Sequence, residues 1–243
     1  MRILSIGNSF SQDAHRYLSG IANNMGSPAK IVNLYIGGCS LRTHYLNMLE
    51  NRADYTLEFN GISTGFKVSI SEALMSNDFD VITLQQASHF SVSSDSYYPY
   101  IEELAAYVRK YCPRAKIYIH ETWAYEDGSA KLAGVGFESS EKMYEALSEA
   151  YREAAEYVSA YGIIPSGRAM KYALEFGLEK VHRDTFHASL GAGRYLLGLT
   201  WYKAIYGKDI TENSFDDFDE PITEREREII IRAVNAAFGE FED

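Results

Sequence analysis

The sequence predicts an α/β protein in which one parallel sheet is covered by helices on both faces. Short apolar runs alternate with amphipathic stretches along the 243 residues, the pattern of strands alternating with helices. The run VITL at 81–84 is short and uninterrupted, as in a parallel strand that is buried on both faces. The chain has only five prolines and no repeat or flexible linker, so we predict a single domain over residues 1–243.

Five runs are predicted as parallel strands, because each is rich in apolar or β-branched residues and is bounded by turn or polar residues. They cover residues 2–6, 29–36, 81–84, 115–120 and 162–165. Between the second and third runs, alternating segments on either side of Asn60-Gly61 predict an added β-hairpin within residues 54–69.

Six stretches are predicted as helices from the spacing of their apolar residues and from residues that favour helix ends. They cover residues 12–25, a short segment after 69, 99–111, 139–161, 190–206 and 224–238. Ser69 with Glu72 and Thr223 with Glu226 form capping boxes at two of the starts, and Gly239 follows the last helix.

Composition narrows the class of protein. Lys and Arg total 23 against 34 Asp and Glu, and the net charge of −11 argues against partners such as nucleic acid or an anionic membrane surface. It also favours neutral substrates. The only cysteines, Cys39 and Cys112, exclude a disulfide scaffold, and no stretch has the length of a membrane span or a signal sequence. We therefore expect a cytoplasmic protein.

The carboxyl ends of the predicted strands are the places to search for a site, because open parallel sheets bind ligands there. After the first strand, Ser9 follows a tight turn at a helix start, where free amide groups and the helix dipole favour negative charge. Ser9 is therefore a candidate nucleophile, although Ser9 with Gln12, or Ser11, would equally serve as a helix cap.

Two other strand ends carry candidate partners for an oxyanion. Gly37 and Gly38 follow the second strand, and glycine lets a backbone amide come close to a ligand. Gln85 and Gln86 follow the third strand, where a side-chain amide could donate to an oxyanion or tie down a neighbouring loop.

A third group lies before the penultimate helix. Asp184 stands three residues before His187, a spacing at which a carboxylate can orient the imidazole ring. Together with Ser9, the two residues would supply a nucleophile, a base and an orienting acid at one rim of the sheet.

In these motifs the sequence resembles the SGNH (GDSL-type) hydrolase superfamily over residues 1–206. The resemblance implies a flavodoxin-like three-layer α/β/α fold with strand order 2-1-3-4-5. It implies that Ser9 in Gly7-Asn8-Ser9 is the nucleophile, that Gly38 supplies an oxyanion amide, and that Asp184 and His187 are acid and base. More narrowly, four stretches look like a bacterial SGNH-like subfamily without a settled biochemical assignment: GNSFSQDA, YIGGCSL, LQQASH and HRDTFH.

The chain departs from the family in one block. The family usually has Gly-x-Asn-Asp after the third strand, and its Asn donates to the oxyanion, whereas this chain has LQQASH at 84–89. Gln86, and after it Gln85, are the replacements we favour, while counting from the strand end favours His89.

The resemblance implies a serine esterase without metal or cofactor. We expect it to remove small acyl groups, acetyl above all, from carbohydrates or similar small esters, with Trp123 stacking on a sugar ring and His89 and Arg183 as further substrate contacts. The departure at 84–89 leaves two alternatives on the same fold: a carbohydrate-binding protein with altered catalysis, and an acyltransferase.

Overall fold

A computed structural model describes residues 1–239, in which seven strands form one mixed sheet. The strands are β1 (Arg2–Gly7), β2 (Lys30–Tyr35), β3 (Tyr55–Phe59), β4 (Ile62–Val68), β5 (Val81–Leu84), β6 (Lys116–Glu121) and β7 (Gly162–Pro165). Their order across the sheet is β4-β3-β2-β1-β5-β6-β7. The parallel strands β2-β1-β5-β6-β7 follow the predicted 2-1-3-4-5 order, so the predicted fold class is confirmed.

The predicted hairpin extends this sheet at one edge. β3 pairs antiparallel with β2, with Val32 opposite Phe59, and β4 pairs antiparallel with β3. The turn needs its two residues, because Asn60 and Gly61 have φ values of 49° and 78°. A Cβ on Gly61 would also lie 2.8 Å from the Cα of Arg16, so the glycine is required both for its conformation and for this close approach.

Helices cover the sheet on both sides. They are α1 (Ser9–Asn24), α2 (Leu41–Leu49), α3 (Ile70–Ser76), α4 (Tyr100–Tyr111), α5 (Ala130–Gly134), α6 (Ser140–Tyr157), α7 (Ser166–Glu175), α8 (Ala192–Tyr206) and α9 (Glu224–Ala237), with a short 3-10 turn at Ser94–Ser96. α1, α7, α8 and α9 form one packed group, while α2, α3 and α4 form another. No helix within residues 1–239 combines the length and apolar character that a membrane crossing demands.

The first helix begins three residues earlier than the predicted residue 12. Asn8, and neither Ser9 nor Ser11, is the capping residue: its Oδ1 accepts a hydrogen bond from Phe10 N at 2.9 Å, and its own amide donates to Ser11 Oγ at 3.1 Å. Ser9 is therefore the first residue of α1, separated from β1 by Asn8 alone. The two predicted capping boxes are present at α3 and α9.

A fully buried carboxylate joins α1 to the loop before α8. Both oxygens of Asp13 accept hydrogen bonds from Arg183 Nη1, each at 2.9 Å, and one of them also accepts from Arg194 Nε at 2.9 Å. The other oxygen accepts from Ala188 N at 3.2 Å. Because every one of these donors lies at least 170 residues away along the chain, Asp13 fixes a long-range contact.

A second buried carboxylate, Glu121 at the end of β6, supports the start of α7. Its oxygens accept from Arg168 N at 3.0 Å and from Ser148 Oγ at 3.3 Å, and Pro165 before the helix provides no side-chain cap. Burial raises the pKa of Glu121 to about 7, against the opposing effect of Arg168 and of both hydrogen bonds.

Removal of the buried charge at position 13 should destabilise the fold far more than removal of a surface ion pair. We expect Asp13→Ala to lower the free energy of unfolding by about 3–5 kcal/mol, because Arg183 and Arg194 would lose their shared counter-ion. Urea unfolding measures this difference. The matched control is Asp78→Ala, whose ion pair with Arg114 is about four-fifths exposed, and we expect it to change stability by less than about 1 kcal/mol. Equal losses in both variants would contradict a structural role of Asp13.

The contribution of Glu121 to the stability of the fold should depend on pH. Its pKa is about 7 in the folded state against an ordinary 4.5, so protonated Glu121 is favoured by folding and stability falls as pH rises from 4.5 to 7. Above pH 7 the ionised form costs the folded state about 3 kcal/mol. Glu121→Gln keeps the acceptor for Arg168 N, so it should gain up to this amount at pH 8 and almost nothing at pH 4.5. Urea unfolding at both pH values tests this, and a pH-independent difference would refute it.

Candidate active site

Three of the predicted residues lie in one hydrogen-bonded row. Ser9 Oγ is 2.9 Å from His187 Nε2, and His187 Nδ1 is 2.7 Å from Asp184 Oδ2. The other carboxylate oxygen of Asp184 accepts a hydrogen bond from the backbone amide of His187 at 2.8 Å. The structure thus brings together residues from the first helix and from the loop before α8, with the ring of His187 between a hydroxyl and a carboxylate.

The charge of Asp184 decides which ring nitrogen carries the proton. Desolvation opposes ionisation, but the hydrogen bonds from the ring and backbone of His187 outweigh it, and the pKa of Asp184 lies below its ordinary value. An ionised carboxylate accepts a hydrogen bond from a proton on Nδ1, which leaves the lone pair of Nε2 facing Ser9. This tautomer is the one that can act as a base toward the Ser9 hydroxyl.

The loop between Asp184 and His187 is held in a strained conformation. Thr185 has φ 72°, a left-handed conformation that β-branched residues avoid at a cost of about 1–3 kcal/mol. Its carbonyl accepts from Glu126 N at 2.8 Å, and Arg183 N donates to His187 O at 2.9 Å across the base of the loop. These contacts hold the turn that places Asp184 below the His187 ring.

An open cavity of ≈ 630 Å³ lies over Ser9. Of the predicted site residues, the five that line it are Ser9, Gly38, His89, Arg183 and His187. Gln85, Gln86 and Trp123 are not among the residues that line it, and each is about 1% exposed.

The loop after β2 is held beside the start of α1. Asn8 Nδ2 donates to Cys39 O at 3.1 Å, so the residue before Ser9 also fixes the loop that contains Gly38. Gly38 has φ 64°, a conformation that favours glycine. Gly38 and Ser9 both line the cavity, and the amide of Ser9 belongs to the first helical turn, where N–H groups lack intrahelical acceptors.

Gln86 is occupied by contacts that hold two loops. Its Oε1 accepts from Leu41 N, the first amide of α2, at 2.9 Å, and from its neighbour Ala87 N at 2.8 Å. Its Nε2 donates to both oxygens of Ser96, the carbonyl at 2.8 Å and the hydroxyl at 3.1 Å. Both amide hydrogens of Gln86 are thereby used away from the cavity, in the loop-tying role that the sequence left open.

Gln85 belongs to a polar chain below the site. Its Nε2 donates to Asn8 Oδ1 at 2.8 Å, and its Oε1 lies 2.8 Å from His120 Nδ1. His120 Nε2 is in turn 3.0 Å from Ser166 Oγ. Burial lowers the pKa of His120 to about 3, so the ring is neutral. Because Gln85 Oε1 can only accept, His120 Nδ1 donates to it and Nε2 accepts from the Ser166 hydroxyl. Gln85 therefore positions Asn8, the cap of the helix that begins with Ser9.

The structure places Trp123 below the cavity rather than at its mouth. Its ring stacks on Phe10 with centroids 4.2 Å apart, and its Nε1 donates to Phe186 O at 2.7 Å. With 1% of its surface exposed, Trp123 has no free ring face for a sugar, because α1 and the loop before α8 cover it. It supports Phe10 and Phe186 from beneath.

The cavity wall also includes residues that the sequence did not indicate. Lys131 and Phe186 line it, and so do Tyr35 and Gln12. Lys131 lies on the short helix α5, which the apolar spacing did not predict, and no motif marks it. Within residues 1–239, no three His, Cys, Asp or Glu side chains lie together in the arrangement of a metal site.

Solved structures share this architecture. A DUF4886 family protein from Bacteroides uniformis has 33% sequence identity, with 98% of this chain and 94% of that chain covered and a TM-score of 0.90. The acetylxylan esterase Axe2 from Geobacillus stearothermophilus has 14% identity over 83% of this chain and 92% of its own, with a TM-score of 0.54. A GDSL-like lipase from Bacteroides thetaiotaomicron has 10% identity over 85% and 88% of the two chains, with a TM-score of 0.53.

The last two likenesses show the fold, which is that of the SGNH hydrolases. No protein with a curated description matches the chain in sequence. The sequence model of the family described as "Domain of unknown function (DUF4886)" matches residues 2–238, and the chain therefore belongs to that family.

Proposed function

We propose that the protein is a serine esterase that removes small acyl groups, acetyl above all, from carbohydrates. The observation that carries this proposal is the hydrogen-bonded row from Ser9 through His187 to Asp184, whose serine lines an open cavity. The SGNH fold adds support, since ester-cleaving proteins, among them an acetylxylan esterase, are built on it.

In the proposed mechanism His187 is the base. Its Nε2 takes the proton of Ser9 as Oγ attacks the ester carbonyl, and ionised Asp184 stabilises the imidazolium that forms. The amides of Ser9 and Gly38 donate to the oxyanion of the tetrahedral intermediate. The imidazolium then protonates the leaving alcohol. In the second half His187 takes a proton from water, whose oxygen attacks the acyl-enzyme, and the imidazolium then returns this proton to Ser9 Oγ as the acid leaves.

Neither glutamine takes part in the proposed oxyanion site, which backbone amides form. Gln86 uses both amide hydrogens on Ser96, and Gln85 donates to Asn8. Neither lines the cavity, and so the proposal rests on two backbone donors where the SGNH family commonly adds an Asn side chain.

The same observation favours one second candidate, a carbohydrate-binding protein that kept the fold with altered catalysis. Loss of one oxyanion donor costs about 10²–10³ in rate, so a protein without it would bind esters and turn them over slowly.

An acyltransferase would use the same residues with a sugar hydroxyl in place of water, and product analysis with acceptor sugars present separates it from a hydrolase.

Replacement of Ser9 should abolish ester cleavage. We expect Ser9→Ala to lower kcat/KM for 4-nitrophenyl acetate and for acetylated xylo-oligosaccharides by about 10⁴-fold or more, and His187→Ala to cost nearly as much. The double variant should lose no more than the larger single loss, because the two residues act as one unit. A fluorophosphonate probe should label wild-type protein and not Ser9→Ala.

Ser88→Ala is the matched control for labelling, because Ser88 lines the same cavity with its hydroxyl 2.8 Å from Tyr125 Oη. Labelling should persist in it. Unchanged hydrolysis in Ser9→Ala would contradict the esterase, and folded wild-type protein that binds acetylated sugars but takes no label would support the binding protein.

Substitution of Gln86 should affect stability more than catalysis. We expect Gln86→Met to lower the free energy of unfolding by about 1–3 kcal/mol, because Leu41 N and the Ser96 oxygens lose buried partners. At a temperature where the variant is folded, kcat should fall less than about threefold, against the 10²–10³ expected for a lost oxyanion donor. Urea unfolding and initial rates on the same preparation measure both quantities. Unchanged stability with a hundredfold lower kcat would instead indicate that Gln86 donates to the oxyanion.

A further inference from the structure

The cavity over Ser9 is positively charged although the chain as a whole is acidic. The net charge of the sequence is −11. Among the residues described, however, the charged side chains that line this cavity are Lys131 and Arg183, and no Asp or Glu lines it. The field that a bound ligand meets is set by charges within about 8 Å, because salt screens more distant ones. The wall that a bound ligand touches is therefore cationic even though the chain as a whole is acidic.

Lys131 presents its ammonium group at the wall next to His187. Its Nζ lies 3.7 Å from the centre of the Phe186 ring, and that ring is 3.9 Å from the ring of His187. Within residues 1–239 no carboxylate forms an ion pair with Lys131. Desolvation and, after it, the charge of Lys131 lower the pKa of His89, which lines the same cavity. The ammonium is thus close to the site and is not neutralised by the protein.

Arg183 adds a second cation that is only partly neutralised. Its Nη1 is held by both oxygens of Asp13 and by the carbonyl of Ala188, while in the described part of the chain its Nε and Nη2 have no hydrogen-bond partner. Asp13 also binds Arg194, which shares Asp219 with Arg16. In this network three guanidinium groups share two carboxylates through hydrogen bonds, and Asp217 adds a further negative charge near Arg16.

Asp184 and Glu58 are two carboxyl groups close to the cavity, and neither lines it. Asp184 directs both oxygens at His187. Glu58 lies behind Gln12, with which it forms a hydrogen bond, and also accepts from Asn33 Nδ2 at 2.8 Å. Burial raises the pKa of Glu58, which favours its neutral form. Neutral Glu58 does not repel an anion in the cavity. Ionised Asp184 does, but it lies behind the His187 ring and does not line the wall, whereas Lys131 and Arg183 do.

We propose that the ester cleaved at Ser9 carries a carboxylate, which Lys131 and Arg183 bind. The proposal rests on the esterase function proposed above and replaces the neutral substrate expected from net charge. The carboxylate can belong to the acyl group, as in a hemisuccinate, or to the alcohol, as in an acetylated uronic acid. In both cases it stays ionised through the reaction, and the proton transfers at Ser9 and His187 are unchanged.

The test compares matched esters in matched variants. 4-Nitrophenyl hemisuccinate is paired with 4-nitrophenyl acetate, and acetylated methyl glucuronoside is paired with acetylated methyl glucoside. We expect wild-type kcat/KM to be about tenfold higher for the charged member of at least one pair, and the pair identifies which half of the ester carries the carboxylate. The preference should shrink as NaCl is raised, because screening weakens the attraction.

Lys131→Glu should lower kcat/KM for the preferred charged ester at least tenfold more than for its neutral partner. Lys110→Glu, an equal change of charge at an exposed position of α4 away from the cavity, is the control and should leave the preference intact. No preference in wild type, or equal effects of the two variants, would overturn the proposal.

Failure of the esterase is a separate result. If neither neutral nor charged esters are cleaved, the proposed function fails, and carboxylate binding is then tested by titration calorimetry of glucuronate and succinate into Ser9→Ala. Binding of either anion that is lost in Ser9→Ala/Lys131→Glu would still support the anion site, and absence of binding would overturn it.

Discussion

The buried carboxylate of Asp13 is the contact on which the geometry of the site depends. Asp13 lies one helical turn after Ser9 on α1, and it binds Arg183 and Ala188, which flank His187. Ser9 and His187 are 178 residues apart in sequence, so their 2.9 Å contact requires a long-range tie between helix and loop. A charge without solvent access must keep its partners, and satisfying Asp13 therefore also sets the distance between hydroxyl and imidazole.

The buried histidines near the Asp13 contact are uncharged. His15 and His120 are fully buried, and desolvation holds the pKa of each near 3, so both rings are neutral at physiological pH. His15 Nε2 is 2.9 Å from Ser5 Oγ, and His120 links Gln85 to Ser166. These groups hydrogen-bond to one another without adding charge below Ser9, although His15 Nδ1 has no partner within residues 1–239. The charges of the site are consequently confined to Asp184 and to the cations at the cavity wall.

The strands, the hairpin and the spacing of the candidate triad were predictable because each depends on neighbouring residues, whether through apolar runs, turn chemistry or short motifs. The helices α2 and α7 were not predicted, and part of what stabilises their first turns comes from residues distant in sequence. α7 follows β7 directly, and Glu121 rather than a preceding Ser or Asp accepts its third amide. Gln86 accepts the first amide of α2, whereas the third amide of α2 is capped by the preceding Ser40. Trp123 follows β6 directly and was expected to stack on a sugar ring. Only its packing against Phe10 shows that the Trp123 ring is covered.

The glutamine at position 86 shows why a change in a family block need not conserve the role of the residue it replaces. A carboxamide that moved into the cavity would remove the partner of Leu41 N and the donor to two oxygens of Ser96, of which Oγ would keep its bond to Phe90 O. Each such loss costs about 1–3 kcal/mol, comparable to the contribution of one oxyanion donor. The side chain therefore stays where it joins two loops. In the proposed mechanism the oxyanion is bound by the amides of Ser9 and Gly38, and Asn8 holds the segments that carry them through its cap on α1 and its bond to Cys39 O.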